Sequence, residues 1–201
     1  MKKIVSIFLL SLSLALVVGC SQEDTVLPDQ QKKLESFLTS AHEPKLIAEA
    51  NKTAGDQLPY YSVSGDRVYR YIFDVYNPER TGKALVEYGD NVSITFRMYV
   101  FDYKNITDKI MPYFSNDPLL KEAYEAVGLN TEFWSFEPMV VTLGETQILK
   151  GLELALAGCR DGDIVEAYMS YNMAYGTKPM GIIAKESPVA ILFTINAVKK
   201  N

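Results

Sequence analysis

The sequence predicts an α+β domain in which an antiparallel sheet wraps around a short helix. Residues 92–100 alternate apolar and polar side chains, which is typical of a half-buried strand. Further β-forming runs follow at residues 139–143, 163–169 and 189–198, and a short helical pattern occupies residues 148–157. Sequential strands around a single short helix favour one sheet packed on that helix.

The first residues predict a lipoprotein signal. Lys2 and Lys3 precede a short apolar run, residues 4–18, that leads into Gly19 and Cys20. A basic start, a short apolar core and small residues at the cut site predict a secretory signal peptide at residues 1–19 rather than a spanning helix. The Val-Val-Gly-Cys ending resembles a bacterial lipobox, which implies lipidation of Cys20.

Lipidation would place the protein on a membrane surface after export. Acyl chains such as palmitate add about 0.8 kcal/mol of membrane affinity per buried CH₂. The outer membrane is the expected location, and the sequence leaves open whether the protein faces the periplasm or the outside. Residues 20–28 predict a tether because they are polar and acidic and show no periodicity.

Residues 29–85 are predicted to form an extension that precedes the main domain, and it begins with a helix. Asp29 is a candidate N-cap, and Leu34, Phe37 and Leu38 fall on one face of the helix that follows. Residues 45–50 are predicted to continue as a second short helix.

The same extension is predicted to contain a β-hairpin between residues 60 and 74. Val68, Tyr69 and Tyr71 are strong β-formers, and the Ser-Gly-Asp sequence at residues 64–66 is a plausible hairpin turn.

Residues 103–135 are predicted to form an insertion on one side of the sheet. Pro112, Asn116 and Pro118 interrupt regular structure, and residues 119–127 predict a helix of about two turns.

Composition excludes several classes of function. The net charge is −5, and removal of residues 1–19 makes the chain more acidic by two charges, which disfavours nucleic-acid binding. Without Cys20, only Cys159 remains, and we expect a buried, inert thiol and no internal disulfide. The lone histidine, His42, is expected at the solvated surface, and without clustered ligands no metal site is predicted. Hydrolase and nucleotide-binding motifs are absent from the sequence.

Four short motifs near the C-terminus occur in a fixed order. They are Ile148 to Glu153 (Ile-Leu-Lys-Gly-Leu-Glu), Gly162-Asp163, Ala174-Tyr175-Gly176 and Gly181-Ile182-Ile183. Their order and spacing resemble the second half of an FKBP-type peptidyl-prolyl cis/trans isomerase domain. The resemblance is closest over residues 143–198 and extends with gaps back to about residue 86. It implies that residues 86–201 form an FKBP-like domain with the insertion 103–135.

The resemblance also implies a set of site residues. The Tyr175 hydroxyl and the Leu149 backbone N–H would be the catalytic hydrogen-bond donors. The substrate-binding residues would be Phe96, Phe114, Met139, Ile148, Leu152, Ile182, Ile183 and Phe193. Ile191 is the alternative to Phe193, because both face the same side of the strand.

The chain departs from the family pattern at several of these positions. Phe96 replaces a pocket tyrosine, Leu152 replaces the tryptophan that commonly floors the pocket, and Ala184-Lys185 replaces a Pro-Pro pair. The family's Phe-Asp pair aligns best with Phe114-Ser115, which would lose the carboxylate, and Phe101-Asp102 is the alternative placement. All the apolar residues of the set are also ordinary core residues, so Leu152, Met139 and Phe96 have packing as an alternative role.

These observations predict a lipid-anchored prolyl isomerase that assists the folding of exported proteins. Rotation about an Xaa-Pro bond faces a barrier of about 18–20 kcal/mol. An apolar cleft with well-placed donors lowers it without an acid, a base or a cofactor. The expected partners are proline-containing polypeptides, and the departures predict weak activity. The alternatives are an FKBP-like binding module and a surface lipoprotein without isomerase activity.

Overall fold

The computed structural model describes residues 25–65 and 67–201. The predicted signal peptide, Cys20 and most of the tether lie outside the described residues, so they remain predictions. The described residues form three α-helices and eight strands. The helices are α1 (Val26–Ser40), α2 (Lys121–Ala126) and α3 (Lys150–Leu156). The strands are β1 (Ile47–Ala48), β2 (Tyr60–Ser64), β3 (Val68–Ile72), β4 (Asn91–Val100), β5 (Phe114–Ser115), β6 (Met139–Thr142), β7 (Ile164–Met169) and β8 (Val189–Lys199).

The strands form one curved sheet in the order β1-β2-β3-β7-β8-β4-β5, and β6 also pairs with β4. All pairs are antiparallel except β1 with β2. The fold is therefore the α+β arrangement that the sequence predicts, an almost entirely antiparallel sheet curved around a short helix. The predicted strands at 92–100, 139–143, 163–169 and 189–198 and the helix at 148–157 all form.

The α3 face of the sheet holds the main apolar core. Alternate residues of β4, including Val92, Ile94 and Phe96, point to this face. They pack with Leu152 and Leu156 of α3, both about 1 % exposed or less. The apolar face that the period-2 alternation creates on the strand and the apolar stripe of the helix thus bury each other.

The opposite face of the sheet is covered by α1. Leu34, Phe37 and Leu38 are buried there, as their spacing predicts, and they pack in a second core with Tyr69 and Tyr168. Neighbouring residues of β3 and β7 therefore serve different cores, because successive side chains of a strand point to opposite faces.

The hairpin of β2 and β3 forms as predicted, but it does not lie outside the main sheet. β3 pairs with β7 over five positions, from Val68 to Ile72. Arg70 points to the α3 face, where its guanidinium donates to the carbonyl oxygens of Ala155 (3.0 Å) and Ala157 (2.6 Å) at the end of α3. Through Arg70, the hairpin is hydrogen-bonded to the C-terminus of α3. The domain boundary near residue 86 remains a prediction.

Two local predictions in the first half of the chain differ from the structure. Helix α1 starts three residues before Asp29, which therefore lies in the first turn, and no side chain caps the helix at Thr25. The predicted helix at 45–50 is instead the two-residue strand β1 followed by a 3₁₀ turn, Glu49–Asn51. The reason is tertiary: β1 pairs with β2, and pairing outweighs a weak local helical preference.

The predicted insertion at 103–135 contributes one short strand to the sheet. Its helix forms as α2, preceded by a 3₁₀ turn at Pro118–Leu120. β5 pairs with β4 at two positions, so part of the segment belongs to the sheet.

His42 is buried, which corrects the prediction of a solvated surface residue. It is 2 % exposed and is surrounded edge-on by the rings of Phe37, Tyr71 and Tyr168. Its Nε2 lies 2.7 Å from a Glu166 carboxylate oxygen, and its Nδ1 lies 2.6 Å from the Pro44 carbonyl oxygen. Both ring nitrogens thus face acceptors, an arrangement that only the doubly protonated imidazolium fully satisfies.

The surroundings of His42 raise its pKa. Burial alone lowers the pKa, but the hydrogen bonds to Glu166 and to the Pro44 carbonyl outweigh that effect. The ion pair between His42 and Glu166 joins the segment after α1 to β7. Glu166 also accepts a hydrogen bond from the Tyr168 hydroxyl at 2.8 Å.

Cys159 is buried, as the composition predicts, and its thiol donates to the Ala155 carbonyl at 3.1 Å. Burial raises the pKa of this thiol to about 11, so it remains protonated and unreactive at neutral pH. Among the described residues, no helix is both long enough and apolar enough to cross a membrane.

Stability should depend on pH through His42. Its folded-state pKa is raised, so its contribution is complete below its unfolded pKa of about 6.5 and is lost as pH rises through the folded value. Urea unfolding between pH 6 and pH 9 should show a falling free energy of unfolding. The fall should be smaller in His42→Gln, and equal slopes for the two proteins would contradict the assignment.

Candidate functional site

Leu149 stands at the N-cap of α3 with an extended backbone (φ −58°, ψ 134°). Its carbonyl accepts the first helical bond, from the Glu153 N–H at 3.0 Å. Within residues 25–65 and 67–201, its own backbone N–H has no hydrogen-bond partner. A helix start leaves such donors open by construction, so this N–H is available to an incoming carbonyl.

Gly151 allows α3 to begin this close to the sheet. A Cβ at this position would press on the Met169 sulfur and lie 3.0 Å from the Met173 carbonyl oxygen. The glycine of the Ile-Leu-Lys-Gly-Leu-Glu motif therefore sets the position of the helix start, and with it the position of the Leu149 N–H.

Tyr175 follows a 3₁₀ turn, Tyr171–Met173, at the end of β7. The N–H groups of Ala174 and Gly176 both donate to the Tyr171 carbonyl, at 3.0 and 2.8 Å. Gly176 has φ +74°, which favours glycine and lets the chain turn back. Tyr175 is half-buried and packs against the main core, as Ile148 and Leu149 do.

The Tyr175 hydroxyl is paired with that of Tyr113. Tyr113 donates to it at 3.2 Å, and the two ring centroids are 6.2 Å apart. The Met98 sulfur lies 3.6 Å from the Tyr113 hydroxyl and 3.9 Å from that of Tyr175. Burial, and then the hydrogen bond to Tyr175, raise the pKa of Tyr113, so this hydroxyl stays neutral.

Sequence reasoning missed Tyr113. Tyr113 directly precedes β5, and its position next to Phe114 was the one available signal. Phe114 was the residue that the family pattern selected, and the pattern gave no reason to choose its neighbour.

The predicted apolar residues divide into a buried and a half-buried group, apart from Phe114 and Ile182, which are exposed. Phe96, Leu152, Ile183 and Phe193 are at most 4 % exposed. Phe96 and Phe193 are direct cross-strand partners on β4 and β8, and Ile191 is buried on the same face as predicted. The half-buried residues, which pack against this core from its rim, are Met139, Ile148 and Leu149.

Ile182 and Ile183 differ in their exposure. Ile183 is 4 % exposed, whereas Ile182 is 85 % exposed on a tight turn closed by reciprocal N–H to carbonyl bonds between Met180 and Ile183. Ile182 therefore presents an apolar side chain to solvent beside the site.

Phe114 stands between Phe96 and the insertion. It is 44 % exposed, and its ring centroid lies 5.3 Å from that of Phe96 and 5.7 Å from that of Trp134. The single tryptophan of the chain is therefore next to Phe114 and not at Leu152, where the family commonly has one.

The side chains of Ser115 and Asn116 form hydrogen bonds to backbone groups of the sheet. The Ser115 hydroxyl donates to the Phe96 carbonyl at 2.6 Å. The Asn116 amide accepts from the Phe96 N–H and donates to the carbonyls of Ile94 and Glu137, all within 3.0 Å. These side chains join β5 and the start of β6 to one edge of β4.

The alternative placement of the family's Phe-Asp pair, at Phe101-Asp102, lies elsewhere. Phe101 belongs to the second core beneath α1, and Asp102 is 61 % exposed and paired with Lys104 at 3.0 Å. Both residues are therefore remote from the α3 face, and this placement supplies no carboxylate to the site.

Two cavities around Asp74 and Asn77 lie away from Tyr175. They have volumes of about 280 and 510 Å³ and lie side by side, and neither is lined by Tyr175 or Leu149. Within the described ranges, no group of three or more His, Cys, Asp or Glu residues is placed to hold a metal ion.

Part of the chain matches a known protein family. Residues 123–196 match the model of the family described as FKBP-type peptidyl-prolyl cis-trans isomerase. The second half of the chain is therefore similar to an FKBP-type domain. The match covers less than half of the chain, and it includes Leu149 and Tyr175 but not Phe96, Tyr113 or Phe114.

Other comparisons are more distant. The N-terminal domain of FKBP42 from Arabidopsis thaliana is a similar solved structure, with 12 % identity and a TM-score of 0.47. The similarity covers 74 % of this chain and 96 % of that one. No curated protein matches the sequence.

The tyrosine pair should be measurable as an energetic coupling. In a double-mutant cycle of Tyr113→Phe and Tyr175→Phe, the two single changes should share one lost hydrogen bond, worth about 0.5–1.5 kcal/mol. The measurement is the free energy of unfolding of the four proteins in urea. Additive effects would show that the two hydroxyls do not interact.

Proposed function

We propose that the protein is a peptidyl-prolyl cis/trans isomerase that acts on exposed proline-containing segments. The observation that carries the proposal is the match of residues 123–196 to the FKBP-type family. In that segment, the half-buried Tyr175 and Leu149 pack against one apolar core, and the Leu149 N–H has no partner in the described part of the chain. The apolar residues around them provide a wall against which a proline ring can pack.

The proposed chemistry follows from these groups. An apolar wall disfavours the charge-separated form of a planar amide and so favours the twisted one. The Leu149 N–H would hold a substrate carbonyl, and the Tyr175 hydroxyl would hold a second one. No proton needs to move, and the neutral Tyr113 hydroxyl is consistent with hydrogen bonding rather than acid–base exchange.

An FKBP-like binding module is the second candidate, and the state of the polar groups favours it. The Tyr175 hydroxyl accepts a hydrogen bond from Tyr113, and the Ser115 hydroxyl is bonded to the Phe96 carbonyl. Leu152 is 1 % exposed, so it forms core beneath the rim. A site with these properties would hold a peptide while giving weak turnover.

Isomerase activity on a tetrapeptide with Leu-Pro at its centre separates the two candidates. The soluble chain starting at Ser21 should show measurable but weak activity. Tyr175→Phe should lower kcat/KM by about twofold to tenfold, because one neutral hydrogen bond is lost.

Tyr88→Phe is the matched control, since Tyr88 is 58 % exposed and its hydroxyl reaches Glu153 on the surface at 3.3 Å. Its activity should equal that of the wild type. A folded protein that binds the peptide without isomerising it would instead support the binding module.

We further propose that Cys20 is lipidated and that the isomerase assists the folding of exported proteins at the outer membrane. The support is the sequence alone: a basic start, a short apolar run and the Val-Val-Gly-Cys ending. A surface lipoprotein without isomerase activity is the remaining alternative for the anchored chain.

Cell fractionation tests the anchor. The wild-type protein should sediment with membranes and carry the mass of its acyl chains, whereas Cys20→Ser should lose both properties. Cys159→Ser is the matched control and should behave like the wild type. Co-sedimentation of Cys20→Ser without any mass difference would contradict lipidation.

A further inference from the structure

Gln30 is the polar member of the buried face of α1. That face consists of Gln30, Leu34, Phe37 and Leu38, and Gln30 is 7 % exposed. The three apolar residues belong to the second core, whereas Gln30 reaches past its edge to two loops. A buried amide needs partners for both its donor and its acceptor, and here both partners are backbone groups.

The two partners lie on the loops that flank Tyr175. The Gln30 side-chain oxygen accepts from the Tyr171 N–H at 2.9 Å, and its nitrogen donates to the Glu186 carbonyl at 2.7 Å. Tyr171 begins the turn that leads to Tyr175, and Glu186 ends the loop that contains Ile183.

These two bonds close a circuit of hydrogen bonds around Tyr175. The Tyr171 carbonyl accepts from the Gly176 N–H at 2.8 Å, and the Gly176 carbonyl accepts from the Glu186 N–H at 3.0 Å. Glu186 adopts φ +57°, a conformation that is unfavourable for a glutamate unless its surroundings hold it. The bond from Gln30 to its carbonyl is one of the contacts that hold it.

We propose that Gln30 is a positioning residue for the candidate cleft: it fixes, from α1, the loop that presents the Tyr175 hydroxyl. The kinetic consequence of this inference rests on the proposed isomerase function. The two hydrogen bonds of Gln30, which together form the clamp, hold the loops whether or not the protein is an isomerase. The clamp gives α1, which lies on the face of the sheet opposite to α3, a direct role at the site.

Gln30→Met tests the clamp, because methionine has a similar length and makes neither hydrogen bond. Leu38→Ala is the matched control, since it loosens the same helix at a residue in the second core. Both are made in the full chain, solubilised in detergent, and compared by amide hydrogen exchange and by isomerisation of the Leu-Pro tetrapeptide.

Exchange is measured at the N–H groups of Gly176 and Glu186, neither of which touches Gln30 directly. Gln30→Met should accelerate both by at least about tenfold, because it removes both hydrogen bonds of the Gln30 amide. It should also lower kcat by about tenfold with little change in KM. Leu38→Ala should leave exchange at these two groups and kcat as in the wild type, although it lowers the melting temperature.

Wild-type exchange at Gly176 and Glu186 in Gln30→Met would overturn the proposal, and so would equal acceleration in Leu38→Ala. A wild-type protein without isomerase activity would refute the proposed function, and the exchange rates would still decide whether the clamp exists. If Gln30→Met does not fold, Gln30→Glu is measured in the same way, because it keeps the shape and the acceptor but loses the donor to Glu186.

Discussion

The pairing of β4 with β8 is the interaction on which the rest of the structure depends. It runs along the whole of β4, from Asn91 to Val100, with one irregularity between Ser93 and Ile94. It leaves the other edge of β4 to β5 and β6. There the Asn116 side chain, which follows β5, makes two hydrogen bonds to β4 and one to Glu137, just before β6. Because β4 is paired on both edges, its alternate side chains form a fixed apolar surface on which α3 packs.

The two faces of the sheet carry separate cores, and the two cores are connected at the C-terminal end of β7. The α3 face carries Leu149 and the main apolar core, to which the proposed site belongs, and the α1 face carries the aromatic rings and the His42–Glu166 pair. β7 contributes to both faces. Its Glu166 pairs with His42 on the α1 side, and the turn that follows Met169 leads to Tyr175. Gln30 connects the faces at that turn.

Periodicity predicted most of the fold because the long strands and α3 have strong alternating or helical patterns, as residues 92–100 show. Pairing between distant segments was not predictable from these patterns: residues 45–50, which contain β1, were expected to be a helix, and the hairpin was expected in an extension that precedes the main domain. His42 and Tyr113 were missed for a related reason. Their partners, Glu166 and Tyr175, are distant in sequence, so no local pattern marks either pair.

The measurement that tests the central claim most directly is a titration of the wild-type protein with the Leu-Pro tetrapeptide, followed by backbone amide NMR. If the start of α3 and the Tyr175 loop form one peptide-binding cleft, the Leu149 N–H signal should shift in proportion to occupancy. Its hydrogen exchange should slow as it gains a carbonyl partner, and Gly176 should shift with it. Shifts confined to the residues around Asp74 and Asn77, with Leu149 unchanged, would contradict the account.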